Sequence, residues 1–312
     1  MIKDYIIIGA GLSGLNTARK IKEIGLGSVL ILEKSRGIGG RMATRRTLET
    51  RFDHGAQFYR VKSDISELHE WWKVKNISHR WFVSFKGDHW CSDQGMTALA
   101  KSIVDGLEIA LEKQIHTIRY DNNIWKLVSD KNEEWECRNL IISAPLPQAL
   151  LILERSSLKQ IDLQEIAELK KIQYTKALIG LLILEQDILI NEFGYEEFQS
   201  GDFFSITDQK MKGVSKISAI TITMSPTFSE SEFDNADDVV MTKILKIFKE
   251  KYPMAMITGS ELKKWRYCQP LSKYKSFYFE VAPKLYLIGD AFGGASLLGA
   301  VRSSEALCDY IF

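Results

Sequence analysis

Across 312 residues neither sign of charge is in excess: 41 Lys and Arg stand against 40 Asp and Glu, a formal net charge of +1. Proteins that neutralise a phosphate backbone or an anionic bilayer carry a basic surplus. Neither nucleic acid nor membrane is therefore an expected partner. Long hydrophobic runs are missing too: the longest, residues 177–184, falls well short of the roughly 20 residues that a membrane-spanning helix needs. Cysteine is sparse, and Cys91, Cys137, Cys268 and Cys308 lie far apart with no Cys-x-x-Cys. The five histidines, His54, His69, His79, His89 and His116, are as scattered and complete no zinc spacing. No metal is expected, and such cysteines suit a reducing, cytoplasmic setting. Only six prolines occur, and no repeat or Pro-rich linker marks a domain boundary. What remains is ordinary globular composition, 45% apolar and 26% charged, enough for two modest domains or one large one. Lys3 before an apolar stretch imitates a leader, but Asp4 is out of place there and cleavage would destroy the best motif in the chain. No targeting segment is expected.

That motif begins at once. Tyr5-Ile6-Ile7-Ile8 is a continuous run of the type covered on both faces of a parallel sheet. Gly9-Ala10-Gly11-Leu12-Ser13-Gly14 follows directly, and then Leu15, Ala18, Ile21 and Ile24 draw an apolar stripe along a helix that Gly25 would end. Val29-Leu30-Ile31-Leu32 reads as the next parallel strand, closed by Glu33. The three glycines serve different ends. Gly9 permits a tight turn, Gly11 the close approach of a pyrophosphate, and Gly14 the packing of helix on strand. The helix start offers unpaired N–H groups and a positive dipole end to phosphates. Glu33 lies 24 positions beyond Gly9, near the usual separation for an acid that binds the adenosine ribose.

A nicotinamide enzyme and a flavoprotein share this opening, and three further segments decide between them. Lys34-Ser35-Arg36-Gly37-Ile38-Gly39-Gly40-Arg41 again pairs glycines that let backbone approach a ligand with an arginine that can meet a phosphate. Gly55-Ala56-Gln57-Phe58, after Asp53-His54, offers small residues against which a flat ring could lie. Near the end, Leu285-Tyr286-Leu287-Ile288 is a buried-type strand leading to Gly289-Asp290, a Gly-rich turn and a last helix over residues 297–310. An Asp at the carboxyl end of a parallel strand sits where such sheets bind ligands, and the following helix start can direct its dipole at a bound group. A strand returning this late to complete the cofactor domain is the organisation of an FAD protein.

The chain resembles the renalase-like branch of the flavin-containing amine oxidase superfamily. The carrying residues are the two glycine strings, Gly55-Ala56-Gln57-Phe58, Gly95-Met96, Ile141-Ile142-Ser143-Ala144-Pro145-Leu146-Pro147-Gln148, Trp265-Arg266-Tyr267 with Pro270, and Gly289-Asp290. They span nearly the full length, while residues 150–260 match only in hydrophobic pattern. The resemblance implies noncovalent FAD that accepts a hydride from a dihydronicotinamide isomer (2- or 6-dihydro-NAD(P)) and passes electrons to O2, giving H2O2. It also implies that Glu33 holds the adenosine ribose, that the backbone at Ile115 meets the adenine, and that Asp290 binds the ribityl or pyrophosphate part. Where the family usually has Glu-Gly-Ala, this chain has Leu298-Gly299-Ala300.

The expected fold is α/β: a Rossmann-type FAD-binding domain with a central parallel sheet, assembled from residues 1–60, 92–146 and 280–312. A smaller α+β substrate domain would take residues 61–91 and 147–279. Helices are expected over 67–72, 97–104 and 237–251. Strands are expected over 81–85, 109–111, 115–118, 125–128, 134–138, 141–144, 177–184 and 216–224. If 263–267 is a strand, alternation puts Lys263, Trp265 and Tyr267 on one face and turns Cys268 to the other. Trp265, Tyr267, Lys263 and Phe58 are the candidate pocket residues. A dihydropyridine becomes aromatic as it loses hydride, so no catalytic acid or base is expected. The cofactor residues are then Gly9, Gly11, Leu12, Ser13, Gly14, Glu33, Lys34, Gly39, Gly40, Arg41, Gly55, Ala56, Gln57, Phe58, Ile115, Gly289 and Asp290. Leu298, Gly299 and Ala300 join them as backbone donors toward reduced flavin. Two other functions are weighed: a flavin amine oxidase acting on a small amine, and a flavin-binding protein without turnover.

Overall fold

The computed structural model describes residues 1–47, 50–61, 66–156, 158 and 161–312. Parts of the expected domain segments, residues 48–49, 62–65, 157 and 159–160, lie outside the described residues.

The opening run becomes the strand Lys3–Ile8 at the centre of the larger sheet. It pairs in parallel with Val29–Leu32 on one side and Glu134–Ile142 on the other. Glu108–Ala110 and Leu285–Leu287 extend the parallel core outward, and Phe279–Ala282 closes one edge antiparallel. Strand alternation sorts the side chains into two cores. Ile7, Ile31, Ile141 and Tyr286 pack toward the helices Leu12–Ile24 and Leu297–Ile311. Ile6, Ile8, Leu30, Leu32, Leu140 and Ile142 pack with the helix Leu146–Ser156 and the hairpin Ile115–Asp121 and Ile124–Ser129. This double covering is why the strands read as unbroken apolar runs.

The second sheet is antiparallel and five-stranded, in the order Tyr195–Glu197, Phe203–Asp208, Ala219–Met224, Tyr174–Leu184, Ile257–Pro270. The helix Asp237–Lys251 covers one face through Val240, Ile244 and Phe248. Its other face, Ala177, Ile179, Leu181 and Ala219, receives Phe52 from the ribbon Thr44–Arg46 and Arg51–Asp53. Burying that phenyl ring contributes about 1.5–3 kcal/mol and holds the second sheet against the ribbon that follows the second glycine string. A second ribbon, His79–Ser84 and Gly87–Cys91, joins the same junction through a bridge between Tyr59 and Trp90.

The local expectations met several departures. The strands expected over 134–138 and 141–144 are one strand, Glu134–Ile142. The helix over 97–104 is confined to Thr97–Lys101. Ile24, expected on the apolar stripe, is 57% exposed, because a spacing of three drifts round a helix of about 3.6 residues per turn and leaves Ile24 on the face opposite Leu15. The alternation expected along 263–268 does not hold: the register against the neighbouring strand shifts between Trp265 and Gln269. A bulge of this kind re-aims side chains, and it brings Cys268 back to the same apolar cluster as Trp265. Among the described residues no helix is long and apolar enough to cross a membrane.

Candidate active site

The two glycine strings lie side by side. Gly9 has a φ of +107°, in the region that favours glycine, and its N–H reaches the Leu32 carbonyl at 2.8 Å. Gly14 is needed for packing, since a Cβ there would stand 2.3 Å from the Gly9 carbonyl oxygen. Gly11 differs: its φ of −75° is ordinary, and a Cβ would meet no protein atom within 4 Å. It faces open cleft. Gly39 forms a bridge with Gly11 and donates its N–H to the Ala10 carbonyl at 2.8 Å, which lays the second string against the first. Gly55 fits so closely that a Cβ would lie 1.9 Å from the Arg41 carbonyl oxygen, and Ala56 donates its N–H to that oxygen at 2.9 Å.

These segments line a cleft of about 1590 Å³ between the sheets, larger than the roughly 300–1,000 Å³ common for single small ligands. Of the expected cofactor residues, Gly9, Gly11, Leu12, Ser13, Glu33, Lys34, Gly39, Gly40, Arg41, Gly55, Ala56, Gln57, Phe58, Ile115, Gly289, Asp290, Leu298 and Ala300 line it. Gly14 and Gly299 stand behind the wall as packing glycines; a Cβ on Gly299 would meet the Gly294 carbonyl oxygen at 1.8 Å.

A diphosphate fits this wall. The helix Leu12–Ile24 starts on Gly11 with no side-chain cap and no acidic residue in its first turn. The buried Ser13 hydroxyl beside that start has no hydrogen-bond partner. Buried polar groups are normally satisfied, so an unpaired hydroxyl among open N–H groups suits an anionic ligand. Glu33 is buried at the strand end, where one carboxylate oxygen accepts from the Ala10 N–H at 2.7 Å and the other from the Ser35 N–H at 2.8 Å. Each oxygen keeps a lone pair for a hydroxyl.

Some candidates are engaged differently from the expectation. Arg41 and Asp290, both assigned to the cofactor, pair with each other, and Arg41 also donates to the Cys268 carbonyl at 2.9 Å. The other Asp290 oxygen accepts from the Tyr174 hydroxyl at 3.1 Å. Burial disfavours the charged guanidinium, yet the adjacent Asp290 carboxylate outweighs it and raises the Arg41 pKa. The buried carboxylate takes the nearest cation because an unpaired buried charge is costly. At the last helix, the Gly299 N–H goes to the Ser296 hydroxyl at 3.0 Å and the Ala300 N–H to the Ser296 carbonyl at 3.2 Å. Those two expected donors toward flavin therefore serve the helix start. Lys34 donates to Gln148 at 2.9 Å.

The four residues expected to form the pocket, Lys263, Trp265, Tyr267 and Phe58, all line the cleft. Lys263 is paired with Glu261. The Trp265 indole donates to the His54 carbonyl at 2.8 Å and stacks on the His54 ring at 5.5 Å between centroids. Tyr267 meets Tyr174 edge to face at 6.0 Å. Phe58 stands 4.4 Å from His89 and 5.3 Å from Tyr195, both edge to face. His54, His89 and Tyr195 also line the cleft and were absent from the sequence candidates. Only His54 carried a signal, its place beside Gly55; the other two arrive from distant strands. Burial, reinforced by nearby Lys263, pushes the His54 pKa down to about 4, so its ring is neutral near pH 7. Burial likewise raises the Cys268 thiol, which keeps it protonated.

Comparison with known proteins agrees with this geometry. Residues 7–73 match the model of the NAD(P)-binding Rossmann-like domain. A stretch of 53 residues is 42% identical to polyamine oxidase 7 of Oryza sativa subsp. japonica, covering 17% of this chain and 11% of that protein. Among solved structures, a suggested protoporphyrinogen oxidase from Exiguobacterium sp. 255-15 superposes with a TM-score of 0.79 at 13% identity, over 99% of this chain and 98% of that one. A putrescine oxidase redesigned in its cofactor binding gives 0.77 at 13%, over 99% and 98%. A conjugated-linoleic-acid-producing fatty acid isomerase from P. acnes gives 0.75 at 13%, over 99% of each chain. The chain thus has the fold of those structures, a Rossmann-type domain with a second, smaller domain.

Proposed function

We propose that this protein is an FAD-dependent oxidoreductase that oxidises a small reduced substrate, with FAD held noncovalently. The observation that carries the reading is the open wall at Gly11 and Ser13, joined in one cleft to the His54–Trp265 stack. In that arrangement the start of the helix Leu12–Ile24 would hold the diphosphate, Glu33 the adenosine ribose, and the backbone at Ile115 the adenine. Residues 55–58 would support the ring system from one side. FAD, when bound, supplies a two-electron acceptor for a hydride and a route onward to O2. Trp265, Tyr267 and Phe58 would orient the donor. A dihydropyridine, aromatic once its hydride has left, asks no proton transfer of a side chain, whereas a cationic amine would first have to give up its ammonium proton. The protonated Cys268 thiol favours noncovalent retention, because the thiolate is the reactive form.

Two donor classes are separable. The names of the relatives, polyamine oxidase and putrescine oxidase, support a small amine better than a dihydronicotinamide. One observation favours the dihydronicotinamide isomer instead: among the described residues the cleft is lined by fourteen Lys or Arg side chains against three carboxylates. Many are paired with acids outside it, but Arg46, Arg60 and Lys101 make no ion pair to a described carboxylate. A cationic amine would meet repulsion at such a mouth and a dinucleotide attraction. Anaerobic mixing of the FAD-loaded protein with 6-dihydro-NAD or with putrescine reads the answer from bleaching of the flavin absorption. Bleaching by putrescine alone would select amine oxidation. Reduction by dithionite but by neither donor would favour a flavin-binding protein without turnover.

A further inference from the structure

Behind the cleft lies an ion pair with no solvent exposure. The Lys212 ammonium is 2.7 Å from a carboxylate oxygen of Asp53, and both side chains are 0% exposed. Lys212 comes from the turn that follows the second-sheet strand Phe203–Asp208, and Asp53 ends the ribbon strand Arg51–Asp53. Neither residue lines the cleft. The second Asp53 oxygen accepts from the Met96 N–H at 2.8 Å and from the Thr44 hydroxyl.

The network continues into the cleft wall through Gln57. Its side-chain oxygen accepts from Lys212 at 3.3 Å and from Gln209 at 3.0 Å, and its amide nitrogen donates to the Asp53 carbonyl at 2.8 Å. Gln209 in turn accepts from the Asp53 N–H at 3.1 Å, and Thr221 donates to the Asp53 carbonyl at 3.0 Å. Both ends of segment 53–57 are therefore fixed from behind, while residues 54–58 present themselves to the cleft. Lys212 also lies 5.4 Å from the Trp81 ring, which packs against Tyr195. One ammonium thus joins the second sheet, the 53–57 segment and the aromatic end of the cleft.

An apolar pair of similar volume would hold the layers together at least as well, since the desolvation cost of a buried ion pair often cancels its attraction. What apolar contact lacks is direction. Hydrogen bonds to a fixed ammonium and carboxylate set where each backbone atom of the segment points. We propose that Lys212 and Asp53 are positioning residues that, through Gln57, fix the backbone of residues 54–58 against the flavin ring. This rests on the FAD reading above.

Removing one charge strands the other, so K212M would unfold the junction whether or not the proposal holds. The informative variant is D53N/K212M, which removes both charges and retains an amide at position 53. The expected result is an apoprotein that melts close to the parent, FAD binding weakened about tenfold or more, and an altered visible circular dichroism of bound flavin. Parent-like affinity and dichroism in that variant would overturn the proposal, because a purely structural pair predicts them. If the double variant does not fold, Q57L decides: it keeps the ion pair and cuts the bonds by which Lys212 and the Asp53 carbonyl hold residue 57. A shifted flavin dichroism is expected there, and an unchanged spectrum with unchanged affinity overturns the proposal. A parent protein that binds no FAD would refute the FAD reading itself, an outcome distinct from either.

Discussion

Replacing Gly11 by valine separates a glycine kept for a ligand from one kept for packing. The backbone there has φ −75° and ψ 171°, which a β-branched residue adopts without strain, and a Cβ meets nothing within 4 Å. The apoprotein should therefore hold its stability, or gain about 0.4–1 kcal/mol from the stiffer unfolded chain. The ligand side is different. Three added carbons project into the space assigned to the diphosphate, and overpacking of that kind costs about 1–3 kcal/mol, or roughly 5- to 150-fold in affinity. Excess FAD at about 100 times the parent dissociation constant stabilises the parent by about 2.7 kcal/mol. With an unfolding entropy near 2.1 cal/mol/K per residue over 312 residues, that is a rise of about 4 °C in melting temperature. In G11V at the weak end of the range the same FAD gives a rise of under about 1 °C. The assay is a pair of melts with and without FAD, beside the absorption spectrum of the desalted protein. G14A is the contrast: its Cβ would press on the Gly9 carbonyl oxygen at 2.3 Å, so it should melt low even without FAD. Parent-like FAD affinity in G11V, or an apo-G11V that melts far below the parent, would refute the reasoning.

Two further outcomes are expected. His54 holds a pKa of about 4 against 6.5 unfolded, so as pH falls below 6.5 the unfolded chain takes up a proton that the folded one refuses. Apoprotein stability should fall by up to about 1.4 kcal/mol per pH unit between 6.5 and 4 on this account, with no contribution above that window. H54Q should flatten that slope by one proton, and an unchanged slope in chemical-denaturation series would show that His54 is not the group involved. W265A removes the indole bond to the His54 carbonyl and the ring stacked on His54. Stopped-flow reduction should slow about tenfold or more as the donor loses alignment while FAD stays bound, and an unaltered rate would exclude Trp265 from the substrate site.

The two glycine strings were legible because their meaning is local. Gly9 at φ +107° and Gly25 ending its helix follow from steric limits on a few consecutive residues. The helix over 237–251 followed from period alone, Asp237–Lys251 being its extent in the structure. The run 263–268 misled for the complementary reason: period two assumes an unbroken ladder, and the irregularity in which residues 265–269 span only 175–177 of the neighbouring strand is set when the two strands pair.

By itself the sequence determined the opening strand, turn and helix, the presence of a second glycine string, and the late strand that leads to Asp290. Each is written in apolar period and glycine placement over a short stretch, where sterics and propensity act without knowledge of the rest of the chain. Tertiary structure alone decided the partners. Arg41 meets Asp290 across 249 positions and Lys212 meets Asp53 across 159, and Phe58 finds His89 and Tyr195 from separate strands. No local pattern encodes such pairs, because a buried charge or ring takes its partner from whichever segment the packing of two sheets brings within reach.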